Sequence, residues 1–176
     1  GDWNCGASRL DATRVGREVA HLDIMLEQPC RTLADCAAVR SATGLPMKMD
    51  ECAHDTASLL KAHELGCMDA VALKLSKFGG LSAMRRARDL CLHLGAKMCV
   101  EDTWGSDVTT AAALHLGVST NPASLMNVCD LSGYVSPRLD ETVPVRKDGR
   151  IAPPEGPGLG AAPDPDRLGT PVAVLN

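Results

Sequence analysis

Apolar and polar positions along the chain follow two alternating rhythms. Short runs with period two, or continuous apolar runs, give way to longer stretches with the three-to-four spacing of a helix. Leu22–Pro29 reads as a strand, and Thr32–Gly44 as a helix closed by glycine. Leu45–Glu51 is the next strand, followed by a helix over Asp55–Gly66. Asp69–Lys77 and Leu81–Gly95 repeat the pair, as do Lys97–Asp102 and Asp107–Gly117, and Ser124–Asp130 is the last strand. In the longest helix, Leu81, Met84, Ala87, Leu90 and Cys91 fall on one face, with Arg85, Arg86 and Arg88 largely on another. Strands recur roughly every 22 to 28 residues, the spacing of βα units with parallel strands.

Beyond Asp130 proline and glycine multiply. Residues 136–176 read as an irregular C-terminal wrap of the domain formed by residues 1–135, with one short hairpin turning at Lys147-Asp148-Gly149. The fold class expected is α/β.

Strand ends are where chemistry gathers in such folds. The ends here carry Glu27, Asp50, Lys74 and the pair Glu101-Asp102, and Asp2 precedes a turn-like Asn-Cys-Gly. Carboxylates on neighbouring strand tips repel unless a cation lies between them, and hard oxygen donors favour Mg²⁺. Each acid could instead sit at a helix N-terminus and be stabilised there by the dipole. Lys74 interrupts an apolar run. A nearby cation and partial burial would lower its pKa, which suits it to act as a base, unless its head simply reaches solvent. Lys77, past the strand's end, is expected to snorkel.

Composition adds exclusions. The chain has 176 residues, 45% of them hydrophobic, and a net charge of −4. This is enough for one core, and it leaves no basic footprint for nucleic acid. There is no membrane-length apolar run, the opening GDWNCGASRL does not read as a signal peptide, and the missing initiator Met suggests a start within a longer protein. None of the eight cysteines forms a CxxC or finger-like spacing, so reduced thiols and a cytoplasmic setting are expected. His21, His54, His63, His93 and His115 fall on helices or loops and are read as structural.

Taken in order, "DWNCG", "LEQP", "MKMDE", "LKLSKFGGLSAMRRA" and "VEDTWGSD" resemble the barrel domain of the enolase superfamily, muconate-lactonizing branch. The resemblance runs from Asp2 to Gly160 and rests on the combination, not on any single piece. It implies an incomplete (β/α) barrel of strands three to eight, with Asp2, Glu27 and Asp50 holding one Mg²⁺. It also implies that Lys74 is one of two catalytic lysines in α-proton abstraction through an enediolate. An Asp-x-Asn-Gly-Gly-Trp-like stretch is replaced by Asp2-Trp3-Asn4-Cys5-Gly6-Ala7. The Lys-x-Lys strand, the first two barrel strands and the N-terminal capping domain are absent from this sequence, so the fragment alone is expected to be inactive.

The absence of His on the seventh strand, with Lys74 on the sixth, favours the two-lysine branch. Its substrates include muconates, succinylbenzoate precursors, dipeptides and proline derivatives. "VEDTWGSD" is most similar to members acting on hydroxyprolines or their betaines. That implies a small carboxylate substrate with an ammonium or secondary amine, met by Asp102 or Glu101 and by a cation–π contact from Trp104. A helix-capping acid and a packing tryptophan are the plainer readings. Asn127 and Asp130 could serve the same end of the substrate. The expected reaction is dehydration of cis-3-hydroxy-L-proline. Alternatives are a racemase or 2-epimerase of proline derivatives or hydroxyproline betaine, another muconate-cycloisomerase-like activity, or a non-catalytic remnant binding Mg²⁺ or a partner barrel. Family members are often oligomeric, so a homo-oligomer is also possible.

Overall fold

A computed structural model describes residues 1–102 and 105–173. Strands β1 (Leu26–Glu27), β2 (Met47–Met49), β3 (Ala70–Lys74), β4 (Lys97–Glu101) and β5 (Leu125–Val128) form one parallel sheet in sequential order. Helices α1 (Arg9–Glu18), α2 (Leu33–Thr43), α3 (Thr56–Glu64), α4 (Leu75–Phe78), α5 (Leu81–Leu94) and α6 (Asp107–Val118) alternate with them, and α7 (Pro165–Leu168) lies in the C-terminal segment. Sequential parallel order with helical crossovers is the arrangement of a (β/α) barrel wall, here an open arc. Residues 1–3 extend that wall, for Asp2 bridges Glu27 in parallel and Glu27 N–H donates to Gly1 O at 2.9 Å.

The punctuation read from sequence has a physical basis. Thr32 caps α2 by accepting from Asp35 N–H, and Gly44 ends it at φ 71°. Asp55 and Ser58 form a reciprocal capping box on α3. Gly95 ends α5 at φ 76°. One face of the sheet supplies Leu26, Met47, Met49, Val71, Leu73, Met98 and Val100, all essentially inaccessible, to a core shared with the helices. The period of two then sends Glu27, Lys48, Asp50, Lys74, Cys99 and Glu101 to the opposite face.

Four expectations need correction. The strand foreseen over Leu22–Pro29 shrinks to Leu26–Glu27, because the chain turns before it and Leu22 is exposed. Helix α1 has no counterpart among the elements expected from the sequence. Its buried stripe is only Ala12 and Gly16, and Gly16 lies so close to α2 that a Cβ there would meet Thr43 Cγ2 at 2.7 Å. Arg88 belongs to the packed side of α5, where its guanidinium donates to Ser119 O at 3.0 Å. Lys77 does not stand free in solvent; its largely covered side chain donates to Asp50.

The C-terminal segment is tied down by an ion pair and the hydrogen bonds around it. Asp107, at the start of α6, accepts from Arg138 Nε and Nη2 at 2.9 and 2.6 Å, and from the N–H groups of Leu139 and Asp140. The turn at 147–150 closes through reciprocal backbone hydrogen bonds between Lys147 and Arg150. All eight cysteines are free thiols. Among the described residues, no helix is long and apolar enough to cross a membrane.

Candidate active site

The polar face of the sheet is a field of paired charges. Lys74, the last residue of β3, donates to Asp50 Oδ2 at 2.7 Å. Lys77 reaches the same carboxylate from α4, donating to Oδ1 at 2.6 Å and also to the Asp50 carbonyl. Lys48 sits 3.0 Å from Glu27 Oε1 and 3.5 Å from Glu101 Oε1. Asp2 is more open, and Asn4 donates to both of its oxygens at 3.0 Å. Lys48 and Lys77 are the participants that sequence reasoning did not assign to the site. For Lys48 the available signal was its alternation with two buried methionines, which turns it toward the acids.

Local backbone aims these groups. Asn4 and Cys5, just after Asp2, and Gln28, just after Glu27, adopt left-handed φ values of 43°, 60° and 34°. Such strain in residues other than glycine persists only where surrounding contacts enforce it. For Gln28 those contacts are clear. Its buried amide donates to Cys30 O at 2.9 Å and accepts from the N–H groups of Asp50 and Cys52 at 3.0 and 3.2 Å.

The remaining residues singled out lie as follows. Glu101 faces the acidic field beside Lys48. Asp102 turns to the first turn of α4, accepting from Ser76 N–H at 3.2 Å and from its hydroxyl. Trp104 lies outside the described residues. Asn127 is exposed on β5, and Asp130 pairs with Arg146 at 2.9 Å. His63, His93 and His115 lie on α3, α5 and α6, away from the acidic field, and His115 Nε2 contacts Leu159 O.

Electrostatics follow from these contacts. Burial pushes the Asp50 carboxyl up, but the hydrogen bonds and charges of Lys74 and Lys77 outweigh it and hold Asp50 below the ordinary range. Glu27 is pushed up by burial, and Asp2 and Glu101 add to the rise while Lys48 opposes it. Lys74 corrects the expectation of a lowered value. Burial does favour the neutral amine, but contact with Asp50 and the negative field of Glu101 raise it overall. Of the two amines on Asp50, Lys77 is the depressed one, because its burial is not fully offset by Asp50 and Lys74 repels it.

Among the described residues, no three His, Cys, Asp or Glu side chains are gathered closely enough to hold a metal ion. The donor set itself suits a hard divalent cation. Asp2 and Glu27 are bridge partners, Asp50 directly follows the next strand, and both oxygens of Asp2 and Asp50 and Oε1 of Glu27 accept from Asn4 or from lysine ammoniums. Lysine ammoniums stand against Glu27 and Asp50.

Residues 1–167 match the family described as Enolase C-terminal domain-like. The chain is 40% identical over 172 residues to cis-3-hydroxy-L-proline dehydratase of Roseibium aggregatum, spanning 98% of this chain and 47% of that enzyme. It is 30% identical to chloromuconate cycloisomerase of Pseudomonas putida, spanning 86% of this chain and 41% of that one. Among solved structures it superimposes on a mandelate racemase/muconate lactonizing enzyme from Roseovarius nubinhibens with a TM-score of 0.92, at 36% identity over 98% of this chain and 47% of that one. A second superfamily member from the same organism, solved in complex with magnesium, gives 0.93 at 34% identity over the same shares. The chain thus spans about half the length of the relatives it matches.

Proposed function

The chain belongs to the Enolase C-terminal domain-like family, and from that premise we propose that it contributes the metal-ligand and lysine half of a site that removes the α-proton of a carboxylate substrate. The observation that carries this reading is the contact of Lys74 with Asp50 on the same sheet face as Glu27 and Glu101. It puts an amine and a set of hard donors over one surface. The substrate we propose is cis-3-hydroxy-L-proline, supported by the relative that is 40% identical across 98% of the chain. The reaction is loss of water.

In this reading Asp2, Glu27 and Asp50 hold Mg²⁺, which when bound supplies positive charge beside the substrate carboxylate. Lys74 accepts the α-proton at Nζ. For that it must be neutral, so it works as a base only once Asp50 no longer holds it as an ammonium. The 3-hydroxyl leaves as water with proton assistance, and the resulting unsaturated amine becomes a cyclic imine. Glu101, which faces the acidic field, meets the substrate's secondary amine. Asp102 works differently, anchoring Ser76 and with it the turn that carries Lys77. Free thiols fit a reducing compartment, and we place the protein in the cytoplasm.

The test is incubation of the complete protein with Mg²⁺ and cis-3-hydroxy-L-proline in D₂O, followed by NMR. Water loss with a cyclic imine product is expected, falling about 10²- to 10⁴-fold in Lys74→Met. Deuteration at the α-carbon with the hydroxyl retained would replace dehydration by epimerisation. Neither exchange nor loss would overturn proton abstraction from this substrate.

A further inference from the structure

Lys48 has no part in the chemistry just described, yet it lies among the groups that would perform it. Met47 and Met49 on either side are fully buried in the core, so the Lys48 side chain emerges on the opposite face of β2, only 13% exposed. The β3 residues between β2 and β4 on that face are Ala70 and Ala72, both fully buried and absent from the helix-side core. Their small size leaves a lane across β3. Through it Lys48 reaches Glu101 on β4 at 3.5 Å while holding Glu27 on β1 at 3.0 Å.

Lys74 and Lys77 are both committed to Asp50. Among the described residues, the ion pair at Glu27 therefore belongs to Lys48. Asp2, Glu27, Asp50 and Glu101 share this face with Lys48, Lys74 and Lys77, and Glu51 adds its negative charge beside Asn4 and Lys74. A divalent ion entering this field meets a Glu27 that is already neutralised. To take Oε1 it must displace the amine, and at either oxygen it competes with an ammonium that already balances the carboxylate's charge.

We propose that Lys48 competes with the divalent ion for Glu27 and so sets the metal affinity of the site, with Glu101 receiving the Lys48 ammonium when the ion binds. This rests on the metal reading above. Binding is then an exchange of partners within a pre-charged face. Glu101 keeps the displaced amine from being stranded, since an unpaired ammonium in a half-buried setting is costly.

The experiment is calorimetric titration of the complete protein with MgCl₂, comparing wild type with Lys48→Met, Lys48→Gln and Lys48→Arg, each checked for folding by circular dichroism. The two neutral variants should bind Mg²⁺ about tenfold more tightly than wild type, and Lys48→Arg, which retains the charge, should stay near wild type. Having both Met and Gln provides a folded neutral variant if one of them misfolds. Equal or weaker binding in the neutral variants overturns the role of Lys48 and leaves the metal reading intact. Lys48→Arg binding as tightly as Lys48→Met overturns it too, since charge would then be irrelevant. Binding in a neutral variant where wild type shows none supports it. No binding in any of the four proteins overturns the metal reading and this inference together.

Discussion

The ammonium of Lys74 lies 2.7 Å from Oδ2 of Asp50, joining the end of β3 to the exit of β2. With Lys77 on the other oxygen, one carboxylate organises two amines.

That shared carboxylate sets an acid limb of stability. Asp50 is held below its ordinary value of 3.8, so its contribution is fully present above that value and lost as the pH falls through the lower native one. In metal-free buffer, Asp50→Asn should lower the melting temperature at neutral pH and shrink the gap to wild type on acidification toward about pH 3. A gap that widens on acidification would contradict the sign. Thermal melts across the range provide the check.

Asp107 is the anchor of residues 138–143. Its side chain is 2% exposed and accepts from Arg138 and two backbone N–H groups. Asp107→Ala leaves Arg138 without that partner and should cost about 3–5 kcal/mol in urea denaturation. Hydrogen exchange should accelerate first across residues 138–146 while β3 stays protected. Uniform acceleration would mean the segment is not tethered there.

Gly117 reports on close packing between α6 and β5. A Cβ at this position would collide with Val128 Cγ2, a branched side chain with little freedom to yield. Gly117→Ala should therefore cost about 1–3 kcal/mol despite alanine's better helix propensity. Adding Val128→Ala should restore part of the loss, and strict additivity of the two changes would show that they do not touch.

Much of this architecture was legible because its signals are local. Gly44, Gly66 and Gly95 close helices in left-handed conformations that side chains avoid, and strands of Met, Val and Leu alternate with inward polar residues. The acids at successive strand ends were legible for the same reason. What escaped depends on distant partners. Nothing near Arg88 in sequence reveals that its guanidinium will find Ser119. The snorkelling expected of Lys77 fails because its position follows from the single turn of α4, which Asp102 anchors through Ser76. Helix α1 carried a usable signal in Ser8 and Asp11, but Gly16 and Ala12 make too thin an apolar stripe to stand out.

Gln28 works as a caliper between two loops. One inextensible amide fixes the exit of β1 against the exit of β2, so the gap from Glu27 to Asp50 is dictated by a side chain that is neither acid nor base. Grafting either loop from a homologue without its counterpart would reset that gap. The pair of loops is therefore the smallest unit that can be exchanged between such proteins.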